Sequence, residues 1–525
     1  MMRVQSPSQR PRARLRACLR AAAGAAATLL LAACHSVGPN YSGPPKPETP
    51  LPARFKNARG DAGKWQLAEP KDAAARGSWW TIFRDPDLDH LEAAALANNQ
   101  DLRLALARIE ESRAQTRVAA SDFYPHADFD GSYARARTSS NEPYQRGELV
   151  GASPFGGSSS SGGMSGGAAS SGPIVLTQQP LTRTYSLLRV PADLNWEVDL
   201  FGRVRRNYAA ARATRQAIEA DYQNVSLMVA ANVASTYFNL RALDTEETVT
   251  NQTIHSRQDA LGIAQERLGA GLTSQLDVFR EQADLASNRA DLAAVKRSRD
   301  EMENALATLV GQPASSFRLG KHDLSLGKVP VRIPAGLPSR LLERRPDVAE
   351  AERELAAANE RIGVAVAAFF PRITITGAAG YESATVGDVL NPASRIWQIG
   401  PSISLPIFEG GRNTGNLRAA VAQYNQQVAR YRSNVLTAFQ DVENALSDLR
   451  HLAEQAQAQG QAVEAAERTL QLSSDQYRNG AVTFLDVADS ERTLFTNQRT
   501  EVQLAGERMQ ATVQLIKALG GGWNN

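Results

Sequence analysis

The feature that most constrains this chain is a stretch that occurs twice. Arg267-Leu-Gly-Ala-Gly-Leu-Thr-Ser-Gln-Leu-Asp-Val278 returns as Gln476-Tyr-Arg-Asn-Gly-Ala-Val-Thr-Phe-Leu-Asp-Val487, with Gly271 and Gly480 standing 209 residues apart. The same offset of 209, without a gap, relates Ser274 to Thr483, Leu276 to Leu485, Asp277 to Asp486, Leu285 to Leu494 and Gly311 to Gly520. In a chain of 525 residues such a repeat describes two halves of one architecture rather than several unrelated domains. In each copy a glycine closes a helical pattern, where it can take the left-handed C′ conformation without a Cβ clash. A Ser or Thr follows, then an Asp three residues later, which is the spacing of a capping box at the start of a second helix. Each copy predicts the tip of a helical hairpin.

The helices that meet at these tips are long. No proline interrupts Arg203 to Leu268 or Arg412 to Tyr477. A helix of about 65 residues is roughly 100 Å long, well beyond an ordinary domain helix. In the second copy Leu417, Val421, Tyr424, Val428, Tyr431, Val435, Ala438, Val442, Ala445 and Leu449 alternate steps of four and three, a heptad seam. The small residues Ala209, Ala210, Ala211 and Ala213, and likewise Ala419, Ala420 and Ala422, leave room for a neighbour on a second face.

Between helical runs the period changes to two. After Pro125, Ala127, Phe129, Gly131 and Tyr133 alternate with His126, Asp128, Asp130 and Ser132. Leu188, Val190, Ala192, Leu194, Trp196, Val198 and Leu200 then face away from Arg189, Asp193, Asn195, Glu197 and Asp199. The second half repeats the pattern with Ile373, Ile375, Gly377, Ala379 and Tyr381, then Trp397, Ile399, Ile403, Leu405 and Ile407 against Gln398, Ser402 and Ser404. Four strands are expected, near 126–137, 184–200, 372–382 and 394–408, each of a length that suits a tilted membrane strand. Four strands cannot close a barrel, and open edges are not tolerated in lipid, so the chain must oligomerise. Gly151 to Gly172, almost all Gly, Ser and Ala, reads as a loop at the mouth of that barrel.

The N-terminus reads as a lipoprotein signal. Six arginines precede an apolar run from Ala21 to Leu31, too short to span a bilayer, and Leu31-Ala-Ala-Cys34 resembles a lipobox, which implies a lipid on Cys34. Cutting before Cys34 removes six arginines and takes the formal charge from +3 to −3, so basicity gives no reason to expect nucleic acid. The organisation expected is a signal peptide over 1–33, an extended lipid-anchored segment over 34–78, a first repeat over 79–343 and a second over 344–525. The six histidines are scattered and the two cysteines are not in C-x-x-C spacing, so no metal site is expected. No phosphate-binding, dinucleotide or nucleophile-elbow motif occurs, and no catalytic residue or cofactor is expected beyond the covalent lipid.

Taken in order, the lipobox, Val37-Gly-Pro-Asn-Tyr41, Arg344-Arg-Pro-Asp-Val348, Ala368-Phe-Phe-Pro371, Leu405-Pro-Ile-Phe-Glu-Gly-Gly-Arg412 and Leu519-Gly-Gly-Gly-Trp523 resemble the TolC-like outer membrane factors, specifically the NodT-type efflux lipoproteins. The resemblance implies an outer membrane β-barrel with four strands per protomer and twelve in a homotrimer, continuous with a long periplasmic α-helical barrel. It implies a passive exit duct for small molecules, lipid-anchored in the outer membrane and served by a periplasmic membrane-fusion adaptor and an inner-membrane pump of RND or similar type. A type I protein secretion duct and a lipid-anchored periplasmic scaffold are the competing readings.

The same resemblance places a periplasmic gate at Leu485, Asp486, Asp489 and Arg492, and adaptor docking at Gly271, Leu272, Gly480 and Ala481. The repeat ranks these positions. Asp486 has a counterpart in Asp277, so helix capping explains both equally well. Asp489 falls opposite Arg280 and Arg492 opposite Ala283, and residues that break the repeat make the better gate candidates. The bland alternative for them is an exposed i,i+3 ion pair with each other.

Overall fold

A computed structural model describes residues 36–45, 55–56, 77–137, 184–324 and 344–521. Cys34, the signal segment, the 151–172 loop and most of the connection between the halves lie outside the described residues. The chain forms two compact units that do not follow the repeat: residues 122–199 with 371–405, and the remainder.

The second of these is helical. After a 3-10 helix at Trp79–Phe83, α1 (Pro86–Asn98) opens on Asp85, whose carboxylate accepts from the amides of Asp87 and Leu88. Asn99 divides it from α2 (Gln100–Ser121), its side-chain oxygen accepting from Asp101 N at 2.9 Å and Leu102 N at 3.2 Å. Two hairpins follow, α3 (Arg203–Gly269) with α4 (Gln275–Leu309), and, after α5 (Pro346–Ala367), α6 (Arg412–Arg478) with α7 (Phe484–Ala518). α3 and α6 are both 67 residues long, α4 and α7 both 35, and the bounds of each pair keep the offset of 209. Equal spacing of caps and breakers has produced equal helices.

Their surroundings differ. α3 packs against α1, α2, α4, α5 and α7 and buries twenty-four residues, whereas α6 packs on α5 and α7 and buries nine. One core gathers Trp79, Trp80, Leu88, Leu91 and the Val229–Phe238 stretch of α3 with Leu306 and Val310, and it reaches Met509, Val513 and Ile516 of α7. A second joins Phe55 and Val348 to Val435, Ala438, Val442 and Ala445, the middle of the expected seam on α6. Nearer the start of α6, Tyr424 and Val428 are only half-buried and Val421 is exposed.

The other unit is an antiparallel sheet of β1 (His126–Phe129), β2 (Ser132–Arg137), β3 (Thr184–Val198), β4 (Arg372–Ser383) and β5 (Arg395–Ser404), in the order β1-β3-β4-β5 with β2 also on β3. Because β1 and β2 pair with β3 in one register, they are a single strand with a gap at Asp130 and Gly131. The gap lies opposite Pro191: Asp130 N donates to Pro191 O at 3.2 Å, but a proline has no N–H to return the bond. On the other side of β3, Pro191 sits against Gly380, where an added Cβ would meet Val190 O at 2.2 Å. The register stacks Phe129, Ala192, Ala379 and Trp397 on one face, together with Leu194, Gly377 and Ile399. The opposite face carries the ion pairs Arg189–Glu382 at 3.9 Å and Arg372–Glu197 at 3.2 Å. The alternation read from the sequence is therefore one continuous apolar face and one polar face.

Candidate functional site at the helical tips

Each hairpin turns through the same hydrogen bonds. Gly271 and Gly480, at φ 72° and 73°, donate to Leu268 O and Tyr477 O, each at 3.0 Å. Leu272 N reaches Arg267 O and Ala481 N reaches Gln476 O, both at 2.8 Å, which completes a Schellman motif in each copy. The returning helices start on capping boxes, Ser274 with Asp277 and Thr483 with Asp486. Asp486 Oδ2 accepts from Thr483 N at 2.9 Å and Thr483 Oγ1 at 2.7 Å, and these bonds hold its carboxyl below the usual range. The capping reading of Asp486 is thus met by its geometry.

The two turns are also bound to each other. Arg267 donates from Nη1 to Tyr477 O at 3.2 Å and lies 4.5 Å from the centre of the Tyr477 ring, which packs edge-on against Phe484. Leu272 and Leu485 stay exposed, at 68% and 54%, leaving apolar side chains at the ends of both hairpins.

Asp489 is exposed and forms no hydrogen bond or ion pair among the described residues. The i,i+3 pair with Arg492, the bland alternative to a gate, does not form. Arg492 instead reaches α4, with Nη2 3.4 Å from Asp284 Oδ2. The reason is a buried arginine beyond it. Arg257 of α3 lies with Nη1 3.4 Å from Glu281 Oε1, 3.1 Å from Asp284 Oδ2 and 3.7 Å from Glu491 Oε2, so α3, α4 and α7 meet at one guanidinium. Three carboxylates surround it, and Arg492 supplies the second positive charge. Glu281 is fully buried, which pushes its carboxyl up to about 7 despite the opposing pull of Arg257; burial raises Glu491 as well. This cluster had no signal in the sequence, since its members lie on three helices and the repeat places Ala466 opposite Arg257 and Ser490 opposite Glu281.

Among the described residues no group of three or more His, Cys, Asp or Glu side chains could hold a metal ion, and no helix is long and apolar enough to cross a membrane.

The family model for outer membrane efflux proteins matches residues 91–312 and 337–521. The cation efflux system protein CusC of Escherichia coli O6:H1 is 31% identical over 507 residues, covering 94% of this chain and 97% of that protein. The pyoverdine export outer membrane protein OpmQ of Pseudomonas aeruginosa is 30% identical over 501 residues, covering 95% of this chain and 96% of its own. Among solved structures, the outer-membrane channel OprN superposes with a TM-score of 0.75 at 28% identity, covering 93% of this chain and 99% of that one.

Proposed function

We propose, for a chain that belongs to the outer membrane efflux protein family and is the outer membrane component of an efflux system, that three copies build one channel. It is a TolC-like channel protein and not an enzyme, and it works with a periplasmic adaptor and an inner-membrane pump. The observation that carries the trimer reading is a four-stranded sheet with an apolar face and two edges, β1–β2 and β5, that have no partner among the described residues. Lipid does not tolerate such edges, and three copies would join them edge to edge into twelve strands. Mature protein extracted in detergent is expected to have the native mass of a trimer and to conduct ions in a planar bilayer; a non-conducting monomer would overturn the reading.

The remaining assignments belong to the same proposal. A lipid on Cys34 anchors the chain in the outer membrane. The exposed turns at Gly271, Leu272, Gly480 and Ala481 dock the helical hairpins of the adaptor, and the pump is of RND or similar type. Leu485, Asp486, Asp489 and Arg492 line the periplasmic constriction. Three copies of Asp489 meeting near the axis would repel one another and favour cations. Asp489→Ala is expected to raise single-channel conductance and weaken cation preference; unchanged values would remove Asp489 from the constriction. The names of the relatives span cations and pyoverdine, so cargo selection falls to the pump rather than the duct.

A further inference from the structure

Residues 36–41 have no regular structure, yet their backbone is held from several sides. Val37 N donates to Phe201 O at 3.0 Å. Arg206 of α3, only 5% exposed, donates from Nε to Val37 O and from Nη2 to Gly38 O, both at 3.3 Å, and from Nη2 to Asn40 Oδ1 at 2.7 Å. Its Nη1 is held by Glu360 of α5 at 2.8 Å, and Asn359 Nδ2 donates to Pro39 O at 3.1 Å. Tyr41 packs against Ala213, Ala356 and Ala357. The fit is close: Gly38 has φ +93°, and a Cβ there would lie 2.7 Å from Gly363 Cα. A buried arginine is costly where an apolar pair would pack as well, and here its donors are directed at one short peptide.

We propose that Arg206 is a positioning residue, and that the α3–α5 groove it closes is a receptor for the chain's own N-terminus that fixes where the acyl group on Cys34 enters the membrane. This rests on the lipid-anchor reading above. Val37 stands three positions after Cys34, so the anchor stays within about 10 Å of the groove. Phe201, which receives the Val37 bond, follows the last residue of β3 by three positions. The acyl group is therefore held beside the chain segment that leads directly out of a membrane strand. With the groove empty, the next buried residue among those described is Phe55, 1% exposed against α6, and the distance along the chain from Cys34 to a packed residue grows from three positions to twenty-one. The effective concentration of a tethered group falls as about the −3/2 power of tether length, here a drop of roughly 20-fold.

The test is a double-mutant cycle in the full-length chain, read as the yield of SDS-resistant, heat-modifiable oligomer in the outer membrane. The mass of the N-terminal peptide and the melting temperature in detergent are recorded alongside. Arg206→Ala is expected to be lipidated and folded but to lose assembled oligomer by roughly 20-fold, the tether factor. Adding Arg206→Ala to Cys34→Ala should then cost nothing further. Arg206→Lys should not rescue, because an ammonium cannot reproduce the forked donors. Should Arg206→Ala fail to fold, Gly38→Ala displaces the segment while sparing the Arg206–Glu360 pair and is expected to give the same loss. Normal yield, or equal losses with and without Cys34, would overturn the positioning role alone. An unmodified Cys34 in the wild-type protein would overturn the anchor reading, and the positioning role with it.

Discussion

The two hairpins are copies in length and in their turns, yet they occupy opposite environments. In the first it is the long helix, α3, that lies deepest; in the second it is the short one, α7, which buries fifteen residues against nine for α4. The copies therefore leave α4 and α6 as the less covered helices, one from each half. Polar residues follow the environment and not the repeat. Arg241 of α3 is 2% exposed and bonds Asp244 at 2.8 Å, Asp87 at 3.1 Å and Gly320 O at 2.6 Å, whereas its counterpart Arg450 is 51% exposed and reaches only Glu454 at 3.3 Å. Arg299 joins the first network through Asp244 at 2.7 Å; at the matching places the second hairpin has Ala453 and Arg508. Duplication preserved the turns, and burial then gave each copy its own chemistry.

Removing the paired arginines one at a time should separate the two hairpins most widely. Arg241→Ala leaves Asp244 buried with one cation fewer and should cost about 3–5 kcal/mol, while Arg450→Ala should leave the denaturation midpoint unchanged. Similar losses from both would mean that burial does not separate the copies. A smaller effect comes from Glu281, whose repeat counterpart is Ser490. The folded state raises its carboxyl from 4.5 to about 7, so it binds a proton more tightly than the unfolded chain. Its contribution is therefore favourable in acid, declines as pH rises from about 4.5 to 7 and is flat above that. The span is on the order of 3 kcal/mol. Melting temperatures at pH 5 and pH 8 should differ less in Glu281→Gln than in wild type; an unaltered difference would exclude Glu281 as the source. The least costly change tests what the copies share: Gly271→Ala and Gly480→Ala should each cost about 1–2 kcal/mol, because both glycines sit in the left-handed region. Unequal costs would show that the turns are not equivalent.

Much of this fold was legible because its signals are local. Helix lengths followed from the positions of Gly271, Gly480 and their caps, and the faces of the sheet from a period of two. What escaped is long-range. Pro191 falls on the polar face between Arg189 and Asp193, and nothing local shows that its missing N–H would break the strand beside it. For Arg492 the sequence suggested no partner beyond Asp489 on its own helix, but Asp284, 208 residues away in sequence, is the acceptor that lies within reach. Arg206 gave no sign of holding Val37 and Asn40, because a receptor for an irregular peptide leaves no periodic trace.

The constant offset of 209 also limits how such a protein can change over evolutionary time. Adding one heptad to α3 would lengthen it by roughly 10 Å and carry Gly271 past the level of Gly480, breaking the Arg267–Tyr477 clasp. Only matched insertions in all four helices would keep the two turns level. Reach in this lineage should accordingly vary by whole helical repeats made in concert, and single-site indels should be confined to the segments outside the hairpins.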